Sequence, residues 1–362
     1  MSRAKHLLLA LTPHGFGHAA MTGPVVEALR AECPDLHLTI QTAIGRDWLL
    51  TRYAEPFDQI TDCADFGMRM NSALSVDVER SYADYRALHH GIEAIIAAEA
   101  RRLRVLQVDA VFSNISYISL LAAQRAGIPS LALCCLNWHD LFGHYCHERE
   151  GAAEILALMR QGYESAEEFL CPAPSMPMDF ANVRAIGPLA KLARRRREEL
   201  AALVQAKPGD KIGLIAFGGM AVPLDFSRWP RIPGWKWVIT ADPGGHPDLI
   251  PRDSLEMGFS DILWSCDLVV GKPGYGTFAE AGVAGTPMLY LPRPDWPESP
   301  HLVSWLETKG RALCVQPEDL FSGAALESQL QKLFSLPTKP LPAASGIAEA
   351  VLAVKACLRL QA

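Results

Sequence analysis

The chain has 362 residues, 49% of them hydrophobic and 20% charged, with a formal net charge of −6. That length suggests two domains of roughly 150–200 residues each, and the apolar content is enough to give each a core, which excludes widespread disorder. The acidic balance argues against a nucleic-acid footprint, and the one basic run, residues 194–197, reads as a solvated helix face that at most brushes an anionic membrane surface.

In chain order, short apolar runs alternate with longer helical patterns, the grammar of parallel sheets covered by helices. In the first half the predicted strands are 6–11, 36–42, 57–61, 109–113 and 130–135, with helices at 19–31, 77–105 and 116–126. Gly127 and Pro129 stop the last of these. Residues 7–11 are too short and too quickly interrupted for a signal peptide or a membrane span. Nine cysteines with no C-x-x-C pair fit reduced thiols better than a disulfide framework. A soluble cytoplasmic protein is the expectation.

The second half restarts the pattern. Predicted strands are 211–217, 236–240, 267–270, 288–291 and 312–315, with helices at 191–205 and 298–309. The boundaries fall at 1–187 for the first domain, 188–342 for the second and 343–362 for a terminal helix. The fold class is therefore α/β, two tandem Rossmann-like parallel-sheet domains. Such sheets bind ligands outside the carboxyl ends of their strands, so two domains facing each other would frame a cleft.

Residues 271–292, GKPGYGTFAEAGVAGTPMLYLP, are the most informative segment. A strand runs into a turn with Gly274 and Gly276, which leaves backbone N–H groups uncovered at a helix N-terminus whose dipole favours negative charge. That suits a diphosphate. Glu280, expected in the first turn, can accept hydrogen bonds from both ribose hydroxyls, so the segment reads as a nucleotide-sugar grip.

Thr12 to Ala20 also carry a glycine turn after a strand. Gly15-x-Gly17-x-x-Ala20 matches a dinucleotide fingerprint, but the second strand ends in Gln41 and Thr42 where a dehydrogenase wants an acid for the ribose. His14 and His18 flank these glycines, and an imidazole there can take a proton from an attacking hydroxyl. Asp140, in the run Asn137-Trp138-His139-Asp140, is a second candidate base, with Trp138 as a sugar-stacking face. Asp140, His144 and His147 stand at helical spacing, which makes a metal site conceivable, but ordinary loop packing or a sugar contact is preferred.

These motifs resemble the GT-B glycosyltransferases, particularly the bacterial N-acetylglucosaminyltransferases that complete lipid II. The chain is similar, closer still, to the glycosyltransferase-like N-terminal region of plant L-arabinokinases. The resemblance covers nearly the whole chain and is dense in PHGFGH (13–18), FGG (217–219) and GKPGYGTFAEAGVAGTP (271–287), with a weaker echo over 121–145. It implies that Glu280 binds the ribose, that Gly274, Tyr275, Gly276 and Thr277 line the diphosphate, and that Gly218 and Gly219 approach the phosphates from the other turn. It places the family's histidine on His18, and it implies that Asp295 and Glu298, after the strand ending at Leu291, accept sugar hydroxyls, although Glu298 equally suits a helix first turn. Met220 departs from the polar residue that the lipid II enzymes carry after the glycine pair.

The implied activity is an inverting, metal-independent transfer of a sugar from a nucleotide diphosphate, UDP favoured, to a hydroxyl or amine, hexosyl or N-acetylhexosaminyl in type. The nucleotide sugar is a co-substrate and no cofactor is implied. Alternatives are a nucleotide-sugar 2-epimerase and a non-catalytic nucleotide-sugar-binding protein. Arg69, Arg80, Arg86, His89 and His90 would suit an anionic acceptor, though a solvated face explains them as well.

Overall fold

The computed structural model describes residues 3–63, 65–72, 75–218 and 224–360. It divides the chain into two compact units. The first takes in the chain up to Asn71, Ser75–Leu189 and the stretch from Ser345 onward; the second takes in Ala190–Ala344.

The first unit is built on strands β1 (His6–Leu11), β2 (His37–Gln41), β3 (Asp58–Ile60), β4 (Ala110–Asn114), β5 (Ser130–Leu133), β6 (Glu168–Pro172) and β7 (Val183–Ile186). They form one parallel sheet in the order β3-β2-β1-β4-β5-β6-β7. Helices α1 (Gly17–Glu32), α2 (Val78–His90), α3 (Ile92–Val105), α4 (Tyr117–Ala126), α5 (Trp138–Cys146) and α6 (Ala152–Glu164) belong to it. Every residue of β1 is buried, as expected of a central strand covered on both faces. The helix predicted over 77–105 is two helices. Gly91 caps the first and opens the second, with a backbone conformation outside the helical range.

The second unit repeats the plan with β8 (Lys211–Ala216), β9 (Trp235–Ile239), β10 (Leu249–Pro251), β11 (Leu268–Gly271), β12 (Met288–Tyr290) and β13 (Ala312–Cys314). The order is β10-β9-β8-β11-β12-β13, again parallel. Its helices include α7 (Arg197–Leu203), α8 (Phe259–Ser265), α9 (Tyr275–Ala284), α10 (Ser299–Lys309) and α11 (Gly323–Ser335). Residues 194–196 are not part of the helix predicted over 191–205; Arg194 and Arg195 are exposed, as a solvated run would be, but the run also makes specific contacts. Arg196 bonds Asp261 and Glu199, Arg195 bonds the Ala284 carbonyl, and Arg197, which opens α7, pairs with Asp267. These arginines tie α7 to the body of the unit.

The last helix, α12 (Gly346–Cys357), belongs to the first unit and packs on α1; its Val351 and Val354 are buried. Glu349 Oε1 accepts the Gly187 N–H at 3.1 Å.

Each sheet reverses its direction of growth once, between β1 and β4 in the first unit and between β8 and β11 in the second. Such switch points leave a crevice at the carboxyl ends of two neighbouring strands. The turn through Gly15 and Gly17 follows β1, Gly218 follows β8 and the turn through Gly274 and Gly276 follows β11, all at these ends.

Candidate functional site

In the first unit, β1 leads to Thr12 and the turn through Gly15 and Gly17, and β4 ends on Asn114, beside β1 in register. His18, the second residue of α1, thereby meets the end of β4. Its Nδ1 lies 2.7 Å from Asn114 Oδ1. Asn114 Nδ2 donates to Met21 Sδ at 3.3 Å, which turns the amide oxygen toward the ring. Nδ1 therefore carries the proton, and Nε2 is the atom with the free lone pair. Cys134, just after β5, brings Sγ to 3.9 Å from the same Nδ1.

Burial alone would lower the His18 pKa, but contacts with Cys134, Asn114 and Asp65 raise it. Burial would likewise raise the Cys134 thiol, yet hydrogen bonds from Cys135 and His18 bring it down to about 6. Each of the two buried groups thus favours the charged form of the other. The ring is buried, not displayed at an open surface.

Asp65 completes this cluster and was not legible in the sequence. Thr12 Oγ1 donates to its Oδ2, and Trp138 Nε1 donates to Thr12 Oγ1 at 3.3 Å. Burial raises the Asp65 carboxyl to about 6, against the pull of Thr12, the Gly67 and Phe66 N–H groups and His18. His14 packs edge-on against Trp138 at 5.1 Å, and His18 does the same at 5.6 Å.

Trp138 has no exposed surface, which corrects its reading as a sugar-stacking platform: it is the wall that holds His14, His18 and Thr12. The Asp140 carboxylate is already engaged. Asn137 caps α5, its Oδ1 accepting the Asp140 N–H at 2.8 Å, its Nδ2 donates to Asp140 Oδ2 at 2.7 Å, and His139 Nδ1 lies 2.8 Å from Asp140 Oδ1. His147 Nδ1 bonds the Gly143 carbonyl. Among the described residues, no three of His, Cys, Asp and Glu converge in a way that would hold a metal ion. In the proposed acceptor region Arg69 pairs with Asp84 at 2.6 Å and His89 Nε2 bonds the Tyr117 hydroxyl at 2.8 Å.

In the second unit, β8 ends before Gly218, whose φ of +85° suits glycine. Gly219 and Met220 lie outside the described residues. β11 runs into Lys272, Pro273 and the Gly274 N-cap of α9, which offers no side-chain cap to the first-turn N–H groups. A Cβ added at Gly276 would meet nothing within 4 Å, so the front of this turn is open and exposed. Tyr275 is buried and Thr277 half-buried.

Glu280 lies in the second turn of α9, not the first, because the helix opens at Tyr275. It is half-buried, and Ser260 Oγ of α8 donates to its Oε1 at 3.2 Å. After β12, Asp295 is exposed, whereas Glu298 is buried and accepts the Trp296 indole N–H at 2.9 Å. Lys272 and Arg293 also stand at this edge, and neither was picked out in the sequence.

Two Rossmann-like units with glycine turns at both switch points specify an architecture that known structures share. The calicheamicin glycosyltransferase CalG4 superposes with a TM-score of 0.61 at 15% identity, over 99% of this chain and 95% of its own. The fold is GT-B. A UDP co-structure of MnaA from S. aureus matches with a TM-score of 0.60 at 13% identity, covering 99% and 98%. By sequence, L-arabinokinase of Arabidopsis thaliana is 26% identical over 325 residues, 84% of this GT-B chain. The chain spans 30% of that relative's length. No family model matches. Among the described residues, no helix is long and apolar enough to cross a membrane.

Proposed function

We propose that the protein is a glycosyltransferase that moves a sugar from a nucleotide diphosphate, UDP by preference, to an acceptor hydroxyl or amine with inversion and without a metal ion. The observation that carries this reading is the open, uncapped turn at Gly274–Gly276 with Glu280 one turn beyond it, on a GT-B scaffold. UDP bound to the MnaA neighbour supports the choice of nucleotide.

In this reading the second unit holds the donor. The N–H groups at the start of α9, with Gly274, Tyr275, Gly276 and Thr277, meet the diphosphate, and Gly218 leaves room for a second approach. Glu280, steadied by Ser260, accepts the ribose hydroxyls. Asp295 meets the sugar. The first unit supplies His18 as base. The acceptor oxygen or nitrogen attacks the anomeric carbon while the bond to the β-phosphate oxygen breaks. The acceptor proton passes to His18 Nε2 and the electron pair leaves on the diphosphate. Asn114 holds Nδ1–H, the orientation a base needs. Asp140 is the weaker candidate because Asn137 and His139 already engage both its oxygens.

The test is incubation of the protein with UDP-sugars, hexosyl and N-acetylhexosaminyl, and a panel of acceptors, with the anomeric configuration of the product read by NMR. Turnover with inversion, lost in His18→Ala while nucleotide binding persists, supports the transferase. Conversion of donor without any acceptor points instead to epimerase chemistry, and nucleotide binding with no turnover under any acceptor points to a binding protein.

A further inference from the structure

The second unit has a groove at the strand ends opposite to its glycine turns. It encloses about 300 Å³ where β8 and β9 begin and α11 passes them. Trp235, the first residue of β9, and Phe334 of α11 are half-buried and line it, their rings 6.1 Å apart. Trp235 is backed by the buried Trp237, stacked at 5.0 Å with the planes 16° apart. Lys211, the first residue of β8, holds its ammonium 3.9 Å from the centre of the Phe334 ring and 5.7 Å from that of Trp235. Glu327 and Gln331, one turn apart on α11 and exposed, also line the groove.

Small-molecule sites are apolar with a few placed polar groups, and this volume stands at the lower end of their range. A small anion here would face the Glu327 carboxylate and an organic cation would face the Lys211 ammonium, so neither sign gains a clear attraction. Arg311, 5.9 Å from the centre of the Phe334 ring, does not line the groove. A purely apolar ligand would strip water from both charges and replace it with nothing. What fits is a neutral ring with one apolar face and an edge of hydroxyls. Hydroxyls both donate and accept, and the groove offers an ammonium donor, a carboxylate acceptor and an amide that does both. The indole and the phenyl ring take the C–H face.

We propose that this groove is a carbohydrate-binding site, taking a neutral pyranose with its C–H face on Trp235 and its hydroxyls on Glu327, Gln331 and Lys211. The site goes beyond the transferase reading and does not depend on it. Lys211 and Trp235 open their strands, whereas Gly218 and the turn through Gly274 and Gly276 follow the carboxyl ends of β8 and β11. In a transferase it would retain a saccharide on the second unit without touching the reacting atoms.

The experiment is fluorine NMR of the full chain carrying fluorinated tryptophan, titrated with methyl β-glucopyranoside, methyl β-galactopyranoside and N-acetylglucosamine. Glucuronate and cyclohexanol serve as anionic and apolar controls, and the Trp235 resonance is assigned by its loss in Trp235→Phe. The expected result is a saturable shift of that resonance with at least one neutral saccharide in the millimolar range, and a weaker response to both controls. Glu327→Ala and Gln331→Ala, both at exposed positions and checked for folding by circular dichroism, should each weaken that saccharide about five- to tenfold through a lost hydrogen bond. No saturable shift with any neutral saccharide, tighter binding of either control, or unchanged saccharide binding in both variants overturns the proposal. Nucleotide binding and turnover are measured separately, so failure of the transferase reading leaves this result standing, and failure here leaves that reading untouched.

Discussion

His18 Nδ1 and Asn114 Oδ1 stand 2.7 Å apart, joining the first turn of α1 to the end of β4 across the switch point of the first sheet. With Cys134 at 3.9 Å from the same nitrogen, this pair fixes which face of the imidazole is left to accept a proton. The contact exists because β1 and β4 are neighbours in register, although 96 residues separate the two side chains.

A base must be unprotonated to act, so the rising limb of the pH–rate profile reports the His18 pKa. Cys134, Asn114 and Asp65 are the groups that raise it. Cys134→Ala removes the largest of these supports and leaves burial to lower the pKa. The limb is expected to move to lower pH in that variant. Asn114→Leu should reduce kcat about 10- to 100-fold by freeing the ring, with donor affinity unchanged. An unmoved limb in Cys134→Ala counts against His18 as the titrating base.

Asp65 gives a stability prediction with a definite sign. Its folded pKa of about 6 exceeds the ordinary 3.8, so the folded state holds its proton more tightly than the unfolded chain does. The ionised carboxylate therefore burdens the fold increasingly between pH 4 and 6, and fully at pH 7. Asp65→Asn keeps an acceptor for Thr12 and removes the titration. Denaturant unfolding at pH 4 and pH 7 should show the variant gaining about 2–3 kcal/mol on wild type over that interval. Parallel pH dependence would contradict the burial argument.

Gly67 illustrates how closely the first site is packed. Its φ is +72°, and a Cβ there would stand 2.7 Å from Trp138 Cζ2 and 3.0 Å from His14 Cβ. Gly67→Ala should cost about 2–4 kcal/mol through backbone strain and displacement of the indole. The thermal midpoint should fall and His18 activity should fall with it.

The assignment of α12 to the first unit is tested by Val354→Asp. Val354 is fully buried. A carboxylate there would have to be buried in place of an apolar side chain, so a loss of about 3–5 kcal/mol is expected. An unchanged Tm would mean that the helix is not docked as described.

Much of the fold was legible because parallel strands buried on both faces stand out as short apolar runs, and β1 matches residues 6–11 end to end. β6 and β7 were missed because EFLCP and VRAI are brief and broken by charge or proline. The ion pairs of Arg196 and Arg197 were not legible because their partners Asp261 and Asp267 are remote in sequence, and a local charge pattern carries no trace of them. The site followed the same rule. Gly274, Gly276 and Glu280 share one turn and one helix, so spacing alone made them a candidate site. Asn114, Cys134 and Asp65 come from three separate strand ends or loops and acquire meaning only when the strand order brings them to His18. Lys272 had a visible signal, a lysine placed directly after a strand and before a glycine turn.

The most direct measurement is a thermal-shift and titration series of wild type and Glu280→Ala with the diphosphates of uridine, guanosine, thymidine, adenosine and cytidine. The account predicts a clear rise in Tm with one of them, UDP first, and at least a tenfold loss of affinity for that nucleotide in Glu280→Ala, which itself folds normally. A flat response of wild type to the whole series, or equal binding by Glu280→Ala, would contradict it.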